Sequence, residues 1–167
     1  LSAVAMGGLI FGFLIGGRLV QRYGVKVLLL AAHIGFALLN LLLLTIHSSG
    51  VVDAAKLGLI LATYGILFAS ASIAVSSELL ALASPTNKAV SIAFGYSLYA
   101  AGLGGSRVLA SLLLGSGILA EQWQVGTIVF TRYHSLFLAN AAGVFLAMAL
   151  LVFVPAVTRH VECLPTV

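Results

Sequence analysis

Long, continuous apolar runs dominate this chain, and their length decides what it can fold into. An α-helix that crosses a bilayer needs about 20 mostly apolar residues. Five segments meet that requirement: Leu1 to Val20, Val25 to Ile46, Leu57 to Ala83, Ala89 to Leu119 and Ser135 to Val154, with Pro155 closing the last. Strands of a membrane barrel alternate apolar and polar residues over short stretches, and these runs do not. A soluble fold is excluded by the supply of charge. Only 7% of the 167 residues are charged and 62% are hydrophobic, whereas a soluble domain carries about 25% charged residues. The same hydrophobicity excludes disorder. The expected fold is all-α: a polytopic transmembrane helix bundle over residues 1–155, with a short polar tail over 156–167.

The few charges mark the ends of the spans. Arg18, Arg22, Lys26, Lys88 and Arg159 fall on one side, and Lys56 and Arg132 on the other. The positive-inside rule places the richer side in the cytoplasm, so the tail is expected to be cytoplasmic, in a plasma or inner membrane. Scattered in this way, the basic residues are topology signals rather than a nucleic-acid patch. Leu1 opens directly into an apolar run, so at least one earlier helix is expected to precede it. A single cysteine, Cys163, permits neither an intrachain disulfide nor a zinc site of cysteines. The longest connection, about Ala120 to His134, holds Trp123 and Tyr133, residue types that favour the membrane interface. His134 and His160 are expected there too, and Asn87 is a candidate cap for the fourth span.

Polar residues inside the spans carry the functional argument. Gly8, Gly12 and Gly16 form one stripe at spacing four, which lets a neighbouring helix approach closely, as a static seam or a sliding one. Thr63, Ser70 and Ser77 recur at spacing seven in the third span, with Tyr64 and Ser72 nearby, and read as helix contacts. Asn40 and Asn140 stand singly and are expected to bond neighbouring helices. His33 has no acid at helical spacing. Arg107 is the sharpest feature, because a central arginine costs about 2.5–3.5 kcal/mol to insert. At about 100° per residue, Tyr96 lies within about 20° of Arg107 around the helix, and Tyr99 and Ser106 share the same broad arc. With Tyr64, these residues are the candidate lining of a polar cavity for a small, anionic or hydrogen-bonding substrate. The alternative is that Arg107 snorkels to the outer interface near Glu121. Glu78 is the one acid inside a span and needs a cation or a proton; Arg22 and Lys88 are expected on its face. The sequence offers no paired catalytic carboxylates, nucleophile–base pair, metal cluster or ATP site. An enzyme is therefore not expected, and no cofactor is implied.

The segment from Gly17 to Lys26 resembles the cytoplasmic loop signature of the major facilitator superfamily, G-x-L-x-D-R-x-G-x-[KR]. Gly17, Leu19, Arg22, Gly24 and Lys26 match, and Gln21 departs where the family has an acid. A lost acid fits the second copy of that loop, between helices eight and nine. The resemblance implies that the five spans correspond to helices eight to twelve of a transporter built of two six-helix bundles. The missing N-terminal helices of the same protein would complete it. It implies alternating-access movement of a small solute, driven by the solute's own gradient or by a coupling ion, proton or sodium. It also implies that Glu78 latches the signature loop through Arg22 in one conformational state. Spans one, three and four hold most small and polar residues, and spans two and five are mostly Leu, Ala, Val and Phe. That ranking matches the family's cavity-bordering helices eight, ten and eleven and its outer helices nine and twelve. A non-transporting assembly or sensor module, or an inactive truncated product, stays open as the other class of function.

Overall fold

The structure is a computed structural model that describes residues 2–46, 50–83, 86–119, 121–126 and 128–154. Pro155, the tail over 156–167 with Arg159, His160 and Cys163, and the turn residues Ser48, Ser49, Ser84 and Pro85 lie outside the described residues. The elements are α1 (Ser2–Tyr23), α2 (Val25–Leu43), α3 (Val51–Leu82), α4 (Lys88–Gly115), β1 (Gln122–Val125), β2 (Ile128–Thr131) and α5 (Arg132–Phe153). All five helices are long and apolar enough to cross a membrane.

The helices alternate in direction. Gly24 alone separates α1 from α2, and its φ of 80° lies in the left-handed region that glycine occupies without strain. Its N–H still donates to the Val20 carbonyl at 2.9 Å, so α1 ends in a hydrogen-bonded turn. Gly8 faces Ala62, Gly12 faces Ile66 and Gly16 faces Ser70, one constant offset, so α1 and α3 run parallel. Asn40 meets Asn140 and Lys26 meets Val152, so α2 and α5 are antiparallel. One end of the bundle therefore gathers Arg22, Lys26, Glu78 and Lys88. The opposite end holds Lys56, Arg132 and the β-hairpin.

The α1–α3 seam is the closest helix packing among the described residues. Gly8, Gly12 and Gly16 are the buried residues of α1. A Cβ at Gly12 would stand 2.6 Å from the Ile66 carbonyl oxygen, and one at Gly65 would stand 2.5 Å from that of Ala5. A Cβ at Gly8 would collide with the Ala62 carbonyl. Those oxygens lie where the missing side chains would project, so the glycines present Cα–H groups to them. Such contacts recur at helix interfaces. The buried Ser70 hydroxyl faces the same seam and has no hydrogen-bond partner among the described residues.

Leucine-rich α2 packs against both α3 and α5 and buries Val25, Leu28, Ala32, Ala37 and Asn40. The reason is local: Ala32, Gly35 and Ala37 thin its surface, so other helices come close. By contrast, α4 buries no residue.

The fourth connection, for which the sequence reading gives no strand, contains a short antiparallel hairpin pairing Gln122 with Thr131 through Val125 with Ile128. Gly126, at φ 63°, opens its turn. The Trp123 and Phe130 rings stack at 4.5 Å, and Trp123 Nε1 donates to Ser135 Oγ at 2.8 Å, tying the hairpin to α5. His134, in the first turn of α5, is buried: its Nδ1 accepts the Thr131 backbone N–H at 3.1 Å and closes a capping box there. Asn87 does occupy the N-cap of α4, but its side chain makes no capping hydrogen bond.

Candidate functional site

The α3–α4 contact is a wedge. It is tight near the basic end, where a Cβ at Gly95 would meet Leu79 Cδ2 at 2.6 Å. It loosens along α4, since Gly102, Gly104 and Gly105 have nothing within 4 Å of a Cβ position. Hydroxyl groups line the closing part. Ser76 Oγ lies 2.8 Å from the Tyr96 hydroxyl and Ser72 Oγ lies 3.5 Å from that of Tyr99. Each serine spends its own O–H on a carbonyl one turn back, Ser76 on Ser72 O and Ser72 on Phe68 O, both at 2.8 Å. Their oxygens are therefore acceptors, and the phenols donate to them. This leaves the phenol oxygens with lone pairs that can accept further hydrogen bonds.

Tyr64 continues the line on α3. It lies about two turns before Ser72 on that helix and is exposed. Arg107 itself is exposed on α4. Ser106, next to it, donates back to Leu103 O at 3.0 Å and is exposed. Of the candidate cavity residues, the fold brings Tyr96 and Tyr99 onto α3, while Tyr64 packs on Phe36 of α2, Arg107 is exposed farther along α4, and Ser106 donates back within its own helix. The seam also includes Ser72 and Ser76. Their spacing of four in the sequence matches that of Tyr96 and Tyr99 closely enough to have flagged a facing pair of hydroxyl rows.

Tyr64 has a second neighbour. On the α2 side its ring lies 5.0 Å from Phe36. It also lines a cavity of about 170 Å³ with Leu39, Asn40, Leu43, Ile60 and Leu61. The one amide there is already engaged: Asn40 donates to Phe36 O at 2.8 Å and accepts from Asn140 Nδ2 at 2.9 Å. The two asparagines that stand alone in sequence are thus each other's partner between α2 and α5.

The signature residues cluster at the basic end. Lys26 Nζ donates to the Val152 carbonyl at 2.8 Å, placing a cation on the last turn of α5, where the helix dipole is negative. The Arg22 guanidinium lies 5.4 Å from the ring of Tyr23. Carried on by the constant α1–α3 offset, Arg22 reaches the level of Ser76, within a turn of the half-buried Glu78. Gly17 has open space around it. No protein-family model, curated protein or solved structure matches this chain.

Proposed function

We propose that the chain is part of a secondary active transporter of the major facilitator type, moving a small solute by alternating access, with a proton or sodium gradient as the candidate drive. The observation that carries this reading is the α3–α4 wedge. An arginine in the membrane interior is costly unless it meets protein, water or an anion. Here Arg107 is exposed on the same helix as Tyr96 and Tyr99, two to three turns beyond the phenols that meet Ser76 and Ser72. The helix that bears it supports the same reading. Its mean hydropathy of 1.3 is the lowest of the five, against 2.4 for α5, and none of its residues is buried. A span this polar and this uncovered suits a boundary with water or with further helices better than one with lipid tails.

Two features at the basic end fit the resemblance. Gly24 makes a one-residue turn between α1 and α2, and the α1–α3 offset carried on by six residues from Gly16 puts Arg22 opposite Ser76, two residues before Glu78. In this reading the basic end is cytoplasmic, the wedge forms half of a midplane site, and the remaining half comes from helices of the same protein. Arg107 and the tyrosines hold the solute, and Glu78 with Arg22 latches one state. The experiment is uptake of radiolabelled small anions by the full-length protein in proteoliposomes, under imposed proton and sodium gradients. Arg107→Gln is expected to lower the uptake rate at least tenfold. Gradient-independent, Arg107-independent flux would refute the reading, as would an intact protein inert toward every gradient and anion class.

A further inference from the structure

The protons of the hydroxyl groups between α3 and α4 all run one way. Ser72 donates to Phe68 O and Ser76 donates to Ser72 O, each at 2.8 Å, so each serine has spent its one proton inside α3. The Tyr96 hydroxyl, 2.8 Å from Ser76 Oγ, can therefore only donate to it, and its own proton is spent in turn. Tyr99 stands in the same relation to Ser72 Oγ at 3.5 Å. What these phenols offer a ligand is acceptor oxygen and no proton. Tyr96 is 44% exposed, so its oxygen can be reached, whereas Tyr99 is half-buried. Around α4, Tyr96 lies about 20° from Arg107. The two are eleven residues apart, which is about 16 Å of helix axis.

The charges nearby decide which kind of donor suits such an oxygen. Arg107 shares the arc of Tyr96 and repels a second cation. Glu78 lies two residues beyond Ser76, which puts it about 160° around α3 from that serine. An ammonium group taken out of water needs a paired charge, and neutral phenol oxygens do not supply one. A hydroxyl group asks only for an acceptor. From this proton count we infer that the site takes a hydroxylated organic anion, its charged group on Arg107 and a hydroxyl donating to Tyr96, with Tyr99 as a second acceptor on the way. The inference rests on the anion-binding reading of Arg107 and adds the donor that the solute must carry. A hydrogen bond of about 3 Å at each end leaves roughly 10 Å for the solute itself, the reach of an eight-carbon chain. An anion whose far end can only accept a hydrogen bond meets oxygen with oxygen there.

The test uses the full-length protein in phosphatidylcholine nanodiscs, with binding to empty nanodiscs subtracted, read by ligand-observed NMR titration. The probes are ω-hydroxyoctanoate, ω-methoxyoctanoate, ω-aminooctanoate and octanoate. The hydroxy acid is expected to bind about 3- to 10-fold more tightly than the methoxy acid, whose ether oxygen can only accept. Tyr96→Phe removes the acceptor and should bring the hydroxy acid down to the affinity of octanoate. Ser76→Ala acts in the opposite sense. It frees the Tyr96 proton to meet the ether oxygen, so the methoxy acid should gain about 3- to 10-fold and the difference between the two probes should close. A merely structural role for the Ser76–Tyr96 contact would not raise the affinity of one probe alone. Equal binding of the hydroxy and methoxy acids to the wild type overturns the donor requirement, and so does a difference that survives both Tyr96→Phe and Ser76→Ala. Tighter binding of the amine-bearing acid than of the hydroxy acid overturns the choice of an uncharged donor. In either case, a loss of about tenfold for every acid in Arg107→Gln leaves the anion reading standing. Binding that ignores Arg107→Gln but keeps a Tyr96-dependent hydroxyl preference refutes the anion reading and leaves the tyrosine acceptor in place.

Discussion

The α1–α3 seam makes a sharp demand on stability. Substituting Gly12→Ala places a methyl carbon 2.6 Å from Ile66 O, 2.8 Å from Ile66 Cα and 2.8 Å from Ala69 Cβ. Two of the three atoms are backbone, so no side chain can rotate away. Ordinary contact needs about 3.5 Å, so the helices must part by roughly 0.7 Å or more along a seam whose other glycines fit as tightly. Overpacking of this kind costs about 1–3 kcal/mol, and the lost Cα–H contact adds about 0.5–1 kcal/mol. Alanine also gains helix propensity over glycine, by about 1 kcal/mol. Gly7→Ala isolates that gain, because nothing lies within 4 Å of a Cβ there, and Gly17→Ala repeats the control one position beyond Gly16. Gly12→Ala should therefore be less stable than Gly7→Ala by about 1.5–4 kcal/mol, a factor of roughly 10 to 1,000 in the unfolding equilibrium. The assay is reversible unfolding of the whole chain in mixed micelles with rising SDS, followed by far-ultraviolet circular dichroism. Equal stabilities within about 0.5 kcal/mol would refute the close parallel packing of α1 on α3.

Other consequences are local. Asn140→Leu leaves Asn40 Oδ1 without its donor and should cost about 0.6–1.7 kcal/mol, with the Asn40→Leu, Asn140→Leu double variant recovering part of the loss in a double-mutant cycle. Lys26→Met removes the cation from the last turn of α5. It should speed amide exchange there several-fold, for a loss of about 0.3–1 kcal/mol, with exchange in the α5 interior unchanged. His134→Ala removes the acceptor of the Thr131 N–H and should destabilise the start of α5 by about 0.5–2 kcal/mol. Trp123 is the only tryptophan, so Ser135→Ala, which removes the Nε1 acceptor, should shift the emission spectrum of the chain; an unchanged spectrum would refute docking of the hairpin on α5.

The sequence makes the helices legible because a bilayer demands length and hydrophobicity, both of which are local properties. The glycine stripe is legible for the same reason: spacing four puts Gly8, Gly12 and Gly16 on one face whatever the rest of the chain does. What covers that face is not local. Nothing in the run Ala62 to Ile73 announces that it lies beneath the stripe, because Ala, Ile, Leu and Ser also suit other packing partners. The asparagines show the limit well, since Asn40 and Asn140 each call for a partner but neither names the other. Composition does not say which helices cover α2, because leucine is equally at home in lipid and against protein, so it reports what a helix can face, not what it does face. The hairpin is passed over because four-residue strands are too short for periodicity to register, although Gly126 set among Val125, Thr127, Ile128 and Val129 is a turn signal within a β-prone run.

The two ways in which helices are held here set up different mechanical behaviour. Between α1 and α3 the contact is backbone against backbone, which leaves one good fit and no cheap alternative, and α2 is fixed to α5 by a buried amide pair. Helix α4 is attached differently. Its tight crossing is confined to Gly95, and beyond that point two phenols reach serine oxygens at 2.8 and 3.5 Å. A hydroxyl that loses such a partner can take water in exchange at little cost, because the net worth of a hydrogen bond is only about 0.5–1.5 kcal/mol. A methyl group forced into a glycine seam has no such exchange available. Among the described residues, the α3–α4 boundary thus has hydroxyl contacts that water can replace, beside an α1–α3 pair held by glycine packing.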